Sequence, residues 1–400
     1  MKRTFIIFSI ALMLLAAMPL YGTRAAYPQT ITTSSPFVNL PRPDGPHWSE
    51  AFEKWDRRKD TKNVIAAFEI FESIAEENPK NENAWLWAGR VAHMRGMRER
   101  GKKRDQWLEK SKVYCEKALD LAPHNRFATY WRYSAIVLMR ELTAKEYKGL
   151  RELGKKYDHL RELPVPDDDP LWAKAMSRWD KRMERAELEK AIDVFHELEK
   201  KYPGRIEPLM WLCRGYYWMH YHADTKEKKA EWCWKATEWG RKAVDIEPRN
   251  PAANYWTAAS LGQYTTNEGY FAMARYALEI GSKLKMVAEE NPNYYYGGVS
   301  QYFALAIARG GKLVAKTAEV LGFTEDQIKQ LSLLAREYEP RYLRNTYALG
   351  ELYIYQGKMD KAEKVLKEVI EADPSLLPHF EPDNKIAQEL ARKLLEKHFK

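Results

Sequence analysis

Cysteine is scarce in this chain, and long apolar runs are almost absent beyond its first residues. Cys115, Cys213 and Cys233 are the three cysteines among 400 residues. None lies near the N-terminal apolar segment, which excludes a bacterial lipoprotein anchor. After Ala26 no stretch is long and apolar enough to read as a transmembrane helix. Strand-like alternation does not persist for any useful length, which excludes a β-architecture. Catalytic signatures are missing too: there is no Gly-rich phosphate loop and no nucleophile elbow, and His196-Glu197 lacks the second histidine of a zinc protease. No enzymatic activity, cofactor or bound metal is expected. The charge is mild, because removing Lys2, Arg3 and Arg24 with the N-terminal segment takes it from +9 to +6. The densest basic stretch, Arg95 to Lys112, is broken by Glu99, Asp105 and Glu109 and reads as a solvated loop. Nucleic acid is not an expected partner.

What the chain does have is an N-terminal export pattern, and after it much of its own sequence twice. Lys2 and Arg3, the apolar run Phe5–Leu20 and the small residues before Ala26 form a secretory signal over 1–25, cut after Ala25. The expected location is therefore periplasmic. Residues 26–46 are rich in proline and read as a linker or arm. Then Lys117, Ala118, Asp120, Pro123, Asn125, Tyr130 and Trp131 recur as Lys242, Ala243, Asp245, Pro248, Asn250, Tyr255 and Trp256, about 125 positions on. Upstream, Trp55, Asp56, Ala67, Phe71 and Pro79 reappear as Trp179, Asp180, Ala191, Phe195 and Pro203. A block of two helical hairpins has been copied, giving 47–162 and 163–290, with Leu163–Pro170 as the connection and Asp169 as a candidate N-cap.

The unit itself is clearest in Tyr342–Pro374. There Leu349, Gly350, Tyr353, Gly357, Ala362, Leu366, Val369 and Pro374 occupy the packing, turn and stop positions of a 34-residue tetratricopeptide repeat. The fold class is all-α: a tetratricopeptide-like solenoid of helical hairpins, with a repeat region over 291–382 and an amphipathic capping helix over 383–400. Trp85, Gly89 and Gly96 open a stretched unit, and Trp211 and Gly215 open its copy, each with about ten extra residues between its helices.

Solenoids of this kind bind rather than react, and the first helix of each hairpin lines the inner face. Counting from the repeat markers puts Arg90, His93, Arg132, Arg140, Leu212, Tyr216, His220, Tyr264, Tyr347 and Tyr355 on that face. Arginines with aromatic rings suit an organic acid or an extended peptide. Cys213 and Cys233 stand symmetrically about a turn near Ala223. Three arrangements are open for them: a disulfide, two separate buried thiols, or a zinc site with His220 and His222.

The passage from Tyr294-Tyr295-Tyr296-Gly297-Gly298 through Leu366–Leu377 to Asn384, Ala387, Ala391, Leu394 and Leu395 resembles the T-component proteins of tripartite ATP-independent periplasmic (TRAP) transporters. That resemblance implies an all-helical periplasmic protein that forms oligomers and works beside a solute-binding subunit, with a small apolar or organic-acid ligand in its groove. The alternative is an envelope scaffold that takes a peptide or helix of another protein.

Overall fold

The computed structural model describes residues 40–154 and 163–399. The export segment 1–25 and most of the Pro-rich arm lie outside the described residues. Among those described there are seventeen α-helices and no strand. The first copy contributes α1 (Pro46–Asp56), α2 (Thr61–Glu77), α3 (Glu82–Arg98), α4 (Gly101–Leu121), α5 (Arg126–Met139) and α6 (Ala144–Gly154). The second contributes α7 (Pro170–Trp179), α8 (Arg185–Lys201), α9 (Ile206–Met219), α10 (Lys226–Ile246), α11 (Pro251–Glu268) and α12 (Tyr270–Glu290). The rest is α13 (Tyr294–Val320), α14 (Glu325–Tyr338), α15 (Leu343–Tyr355), α16 (Met359–Glu371) and α17 (Glu381–His398). Consecutive helices pack as antiparallel pairs, and α17 lies against α15 and α16.

The helix ends follow from the repeated residues. The side chains of Asn125 and Asn250 accept from the first free amides of α5 and α11, and Asp169 does the same for α7 with Pro170 at its first position. Pro79, Pro123, Pro203 and Pro248 each follow a helix end by about two residues, where no amide donor is needed. The extra length in the stretched units does not form loops. It extends α4 and α10 to 21 residues each, and only Glu99 and Arg100 separate α3 from α4. Arg95–Lys112 is thus mostly helical, and Arg98 is nearly buried against Glu289 at 2.9 Å.

Ring geometry corrects the register of the duplication. Phe71 stacks on Trp87 at 5.3 Å and 17°, and Phe195 stacks on Trp211 at 5.4 Å and 19°. Trp87 donates its indole N–H to Pro41 O and Trp211 donates to Pro164 O. The counterpart of Trp211 is Trp87, not Trp85. The same shift pairs Gly89 with Cys213. A Cβ on Gly89 would sit 2.7 Å from Cys115 Sγ on α4, whereas a Cβ on Gly240 of α10 would sit 3.1 Å from Cys213 Sγ on α9. The two copies build the same helix crossing from one glycine and one cysteine, with the partners exchanged between helices.

Each copy also buries two arginines against tryptophan. Arg58 lies 4.8 Å from the Trp55 ring and Arg182 lies 4.7 Å from Trp179. Arg90 lies 4.0 Å from Trp131, and Arg214 lies 4.0 Å from Trp256. All four are at most 2% exposed. Their acids come from far along the chain. Arg58 binds the Glu290 carboxylate at 3.1 Å and Arg90 donates to the carbonyls of Glu289 and Glu290. Arg182 and Arg214 bind the two oxygens of Asp383 at 2.8 and 3.1 Å. Burial pushes the Glu290 carboxyl up, but Arg58, Arg249 and Arg90 outweigh it and hold it at about 2. His93 is enclosed beside this cluster, edge-on to Trp131 and 2.8 Å from Ser134 Oγ.

Three expectations follow. Gly89→Ala should destabilise by about 1–3 kcal/mol through overpacking, and adding Cys115→Ala, which removes the obstructing sulfur, should return most of the loss in denaturant melts. Asp383→Asn leaves two buried guanidiniums facing no carboxylate and should cost about 3–5 kcal/mol. The third concerns acid. Burial first, then Arg90 and Arg104, lowers His93 well below 6.5, and burial lowers His220 to about 3. Below pH 6.5 the unfolded chain binds protons that the folded chain refuses, so stability must fall as pH falls, by up to about 1.4 kcal/mol per pH unit for each histidine, with the His220 share persisting down to about 3. His93→Gln should flatten that slope by its share below pH 6.5 in melts at stepped pH; an unchanged slope would mean His93 is charged when folded.

Candidate functional site

The first helices of successive hairpins, α9, α11, α13 and α15, pack beside one another and form an inner layer in the second half of the chain. The residues expected on that layer are distributed differently. Arg90 and His93 lie in the core between α3 and α5, and Leu212 is fully buried. Tyr216 turns toward α8 and α10, sharing a hydrogen bond with His196 at 2.8 Å and stacking on Trp232 at 5.8 Å. His220 lies in a 3₁₀ turn with its Nδ1 on Tyr217 O. Arg132 pairs with Glu116 at 2.8 Å, and Arg140 pairs with Glu146 at 2.8 Å. Tyr264 meets Trp234 and Tyr276 between α10, α11 and α12. Tyr347 is buried with its hydroxyl on Glu351, whose carboxylate also binds Arg309. Tyr355 is half-buried against the main core. These side chains do not converge on one place.

The cysteines differ from the disulfide and zinc arrangements. All three are free and buried. Cys213 faces Gly240, about two turns beyond Cys233, and its Sγ is 3.7 Å from Ser260 Oγ. The 3₁₀ turn His220–His222 adds length between α9 and α10, so equal spacing from Ala223 does not bring the two thiols together. Burial pushes each of the three thiols up to about 12.

The displacement on α9 is one residue, which rotates a helix by about 100°. The outward residues are Tyr217 and Tyr221 rather than Tyr216 and His220. With them lie Tyr255 of α11, Tyr302 of α13 and Arg344 of α15. Two glycines make room for this cluster. A Cβ on Gly262 would collide with the Tyr302 hydroxyl, and one on Gly298 would lie 2.6 Å from the Tyr255 ring. Arg344 donates to Tyr221 Oη at 3.3 Å. Burial raises the Tyr255 phenol, against the pull of Arg344 and Arg214, and Tyr221 and Tyr302 are its further charge neighbours. Tyr217, Tyr221, Tyr302 and Arg344 all keep some surface in solvent.

Beneath them the chain is held in an unusual turn. Tyr295, Tyr296 and Gly297 have φ of 54°, 53° and 84°, a left-handed turn set into the start of α13. For the two tyrosines this costs about 1–2 kcal/mol each. Tertiary bonds fix it: the Tyr295 hydroxyl accepts from Arg214 and donates to Asp383, each at 3.1 Å, and Tyr296 O accepts from Asn345 at 2.7 Å. The tyrosine turn therefore joins the buried Arg214–Asp383 pair to the face above it. Arg344 carries a signal that sequence reasoning missed: it stands in the first turn of α15, where the helix dipole disfavours a cation.

Comparison with known proteins adds two family matches. Residues 175–297 match the model described as regulator of microtubule dynamics protein 1-3. Residues 344–376 match a tetratricopeptide repeat. No curated protein matches the chain. Among solved structures, a human IFIT1 dimer with PPP-AAAA is 15% identical over 81% of this chain and 72% of its own, at a TM-score of 0.31. A thermophilic TPR protein of Thermus thermophilus is 13% identical over 76% of this chain and 100% of its own, at a TM-score of 0.21. Neither likeness carries an argument about site or ligand. The repeat match rests on contacts visible in the fold: a Cβ on Gly350 would lie 2.6 Å from Leu366, and Ala362 is fully buried. The described residues have an all-α, tetratricopeptide-like fold that carries a tetratricopeptide repeat over residues 344–376.

Proposed function

We propose that this protein is a non-enzymatic interaction scaffold of the cell envelope, whose tyrosine-lined inner layer takes an extended or helical segment of a partner protein. The observation that carries this reading is the alignment of Tyr217, Tyr221 and Tyr302, half-buried, with the buried Tyr255 between them across three successive hairpins. Tyrosine supplies large contact area at low entropic cost and keeps a polar handle for backbone groups of the partner. The match over 175–297 supports a protein-directed role, since that family is named for regulating a protein polymer and the matched residues supply Tyr217, Tyr221 and Tyr255.

We place the protein in the periplasm on the strength of the signal pattern in residues 1–25. The T-component resemblance makes the solute-binding subunit of a TRAP transporter the first partner to try. The second reading, direct capture of a small organic acid, is favoured by Arg344, a partly exposed residue that lies among the phenols.

A photo-crosslinking residue at Tyr217 should give a discrete adduct with one envelope protein in the native host, and the same residue at Val113, an exposed position on α4, should give none. Native mass spectrometry of the purified protein supplies the opposite outcome: a retained small molecule together with no adduct from position 217 would overturn the scaffold reading.

A further inference from the structure

We infer that Arg344 is the anchor of the inner layer and binds a carboxylate, supplied by an Asp or Glu side chain or the C-terminus of the partner segment. This rests on the scaffold reading for the source of the carboxylate, but not for the chemistry of the site.

Three guanidiniums converge near one acid. Arg182 and Arg214 each hold one oxygen of Asp383, which is itself buried. Arg344 feels the same carboxylate from further off, and its hydrogen bond is to a neutral phenol, Tyr221, at a long 3.3 Å. Arg344 therefore shares Asp383 with two guanidiniums that bind it directly. A partly buried arginine is ordinarily matched by a carboxylate, as Arg309 is by Glu351 at 2.7 Å on the neighbouring helix. Arg98 and Arg249 are likewise bound by Glu289 or Glu290.

Position adds a second argument. Arg344 stands in the first turn of α15, so its charge and the positive end of the helix dipole act in the same direction. This is unfavourable for an unliganded cation and favourable for a bound anion. The planar guanidinium can offer two parallel N–H donors to a carboxylate while the partly exposed rings of Tyr217 and Tyr221 cover the apolar part of the residue that carries it.

Benzoate is a suitable probe, because it presents a carboxylate on an aromatic body, and benzamide is its neutral match. In protein made with 3-fluorotyrosine, benzoate should move a subset of fluorine resonances saturably and benzamide should not. Arg344→Gln should weaken the benzoate response about tenfold or more, and Arg344→Lys, which keeps charge without the fork, should weaken it less. Should Arg344→Gln fail to melt like the wild type, Tyr221→Phe removes only the hydroxyl that orients the guanidinium and should weaken benzoate a few-fold. An equal response in Arg344→Gln, or none in the wild type, overturns the proposal. The adduct from position 217 separates the two sources of the carboxylate. Loss of that adduct in Arg344→Gln assigns the carboxylate to the partner segment. Benzoate binding that depends on Arg344, with no adduct in any variant, keeps the carboxylate site and removes the scaffold. An adduct of undiminished yield in Arg344→Gln keeps the scaffold and removes Arg344 as its anchor.

Discussion

The structure depends on buried arginines clamped between tryptophan rings and carboxylates from distant parts of the chain. Arg58 and Glu290 are 232 residues apart, and Arg182 and Asp383 are 201 apart. Neither partner could be buried alone, since taking an ion out of water costs several kcal/mol. Burial is tolerated because each guanidinium has an indole on its face and an acid or carbonyl at its edge. Such pairs are weak as sources of stability and strong as selectors of geometry. A hairpin block docked one turn out of place would leave the charges uncompensated.

This constraint explains why the two copies are not simply consecutive turns of one uniform stack. The first copy is tied to the end of α12 through Arg58, Arg90 and Arg98, and to the α13–α14 region through Arg104, which donates to Gly322 O and Gln327. The second copy is tied to the start of α17 through Arg182 and Arg214. The same two arginine positions thus serve twice: in the first copy they hold the end of the second, and in the second copy they hold the start of α17. The duplicated sequence supplies the cations twice, whereas the acids differ: Glu290 ends the second copy and Asp383 opens α17.

The inner face inherits its shape from these ties. Asp383 receives Arg182 and Arg214 and also the hydroxyl of Tyr295, whose left-handed backbone would relax without that bond. Tyr296 and Tyr342 pack on Phe380 at 5.2 and 5.5 Å, which closes the floor. Above the floor, Gly262 and Gly298 let tyrosines from neighbouring helices approach where any side chain would block them. The surface is therefore built from behind, by charge pairing in the core, and finished by the absence of two side chains.

Much of the architecture was legible in residues alone. Recurrent Asn, Pro and Trp marked the helix ends and the copied block, and Gly350 with Ala362 marked a close helix crossing, because caps, stops and small crossing residues act locally and leave a local signature. Register and facing were not legible. The copies differ by a one-residue shift between Trp87/Trp211 and Tyr130/Tyr255, and a helix turns by about 100° per residue, so a small error in counting sent Tyr216 and His220 outward in place of Tyr217 and Tyr221. The exchange of glycine and cysteine between Gly89–Cys115 and Cys213–Gly240 likewise hides from a comparison that matches like with like. By itself the sequence determined that the chain is a duplicated array of helices without strands, since periodicity and caps are properties of neighbours in the chain. Only the tertiary structure decided which arginine meets which acid, and which arginine is left to face the tyrosines, because those choices are made by charges some 200 residues apart that are compensated only when the helices are packed.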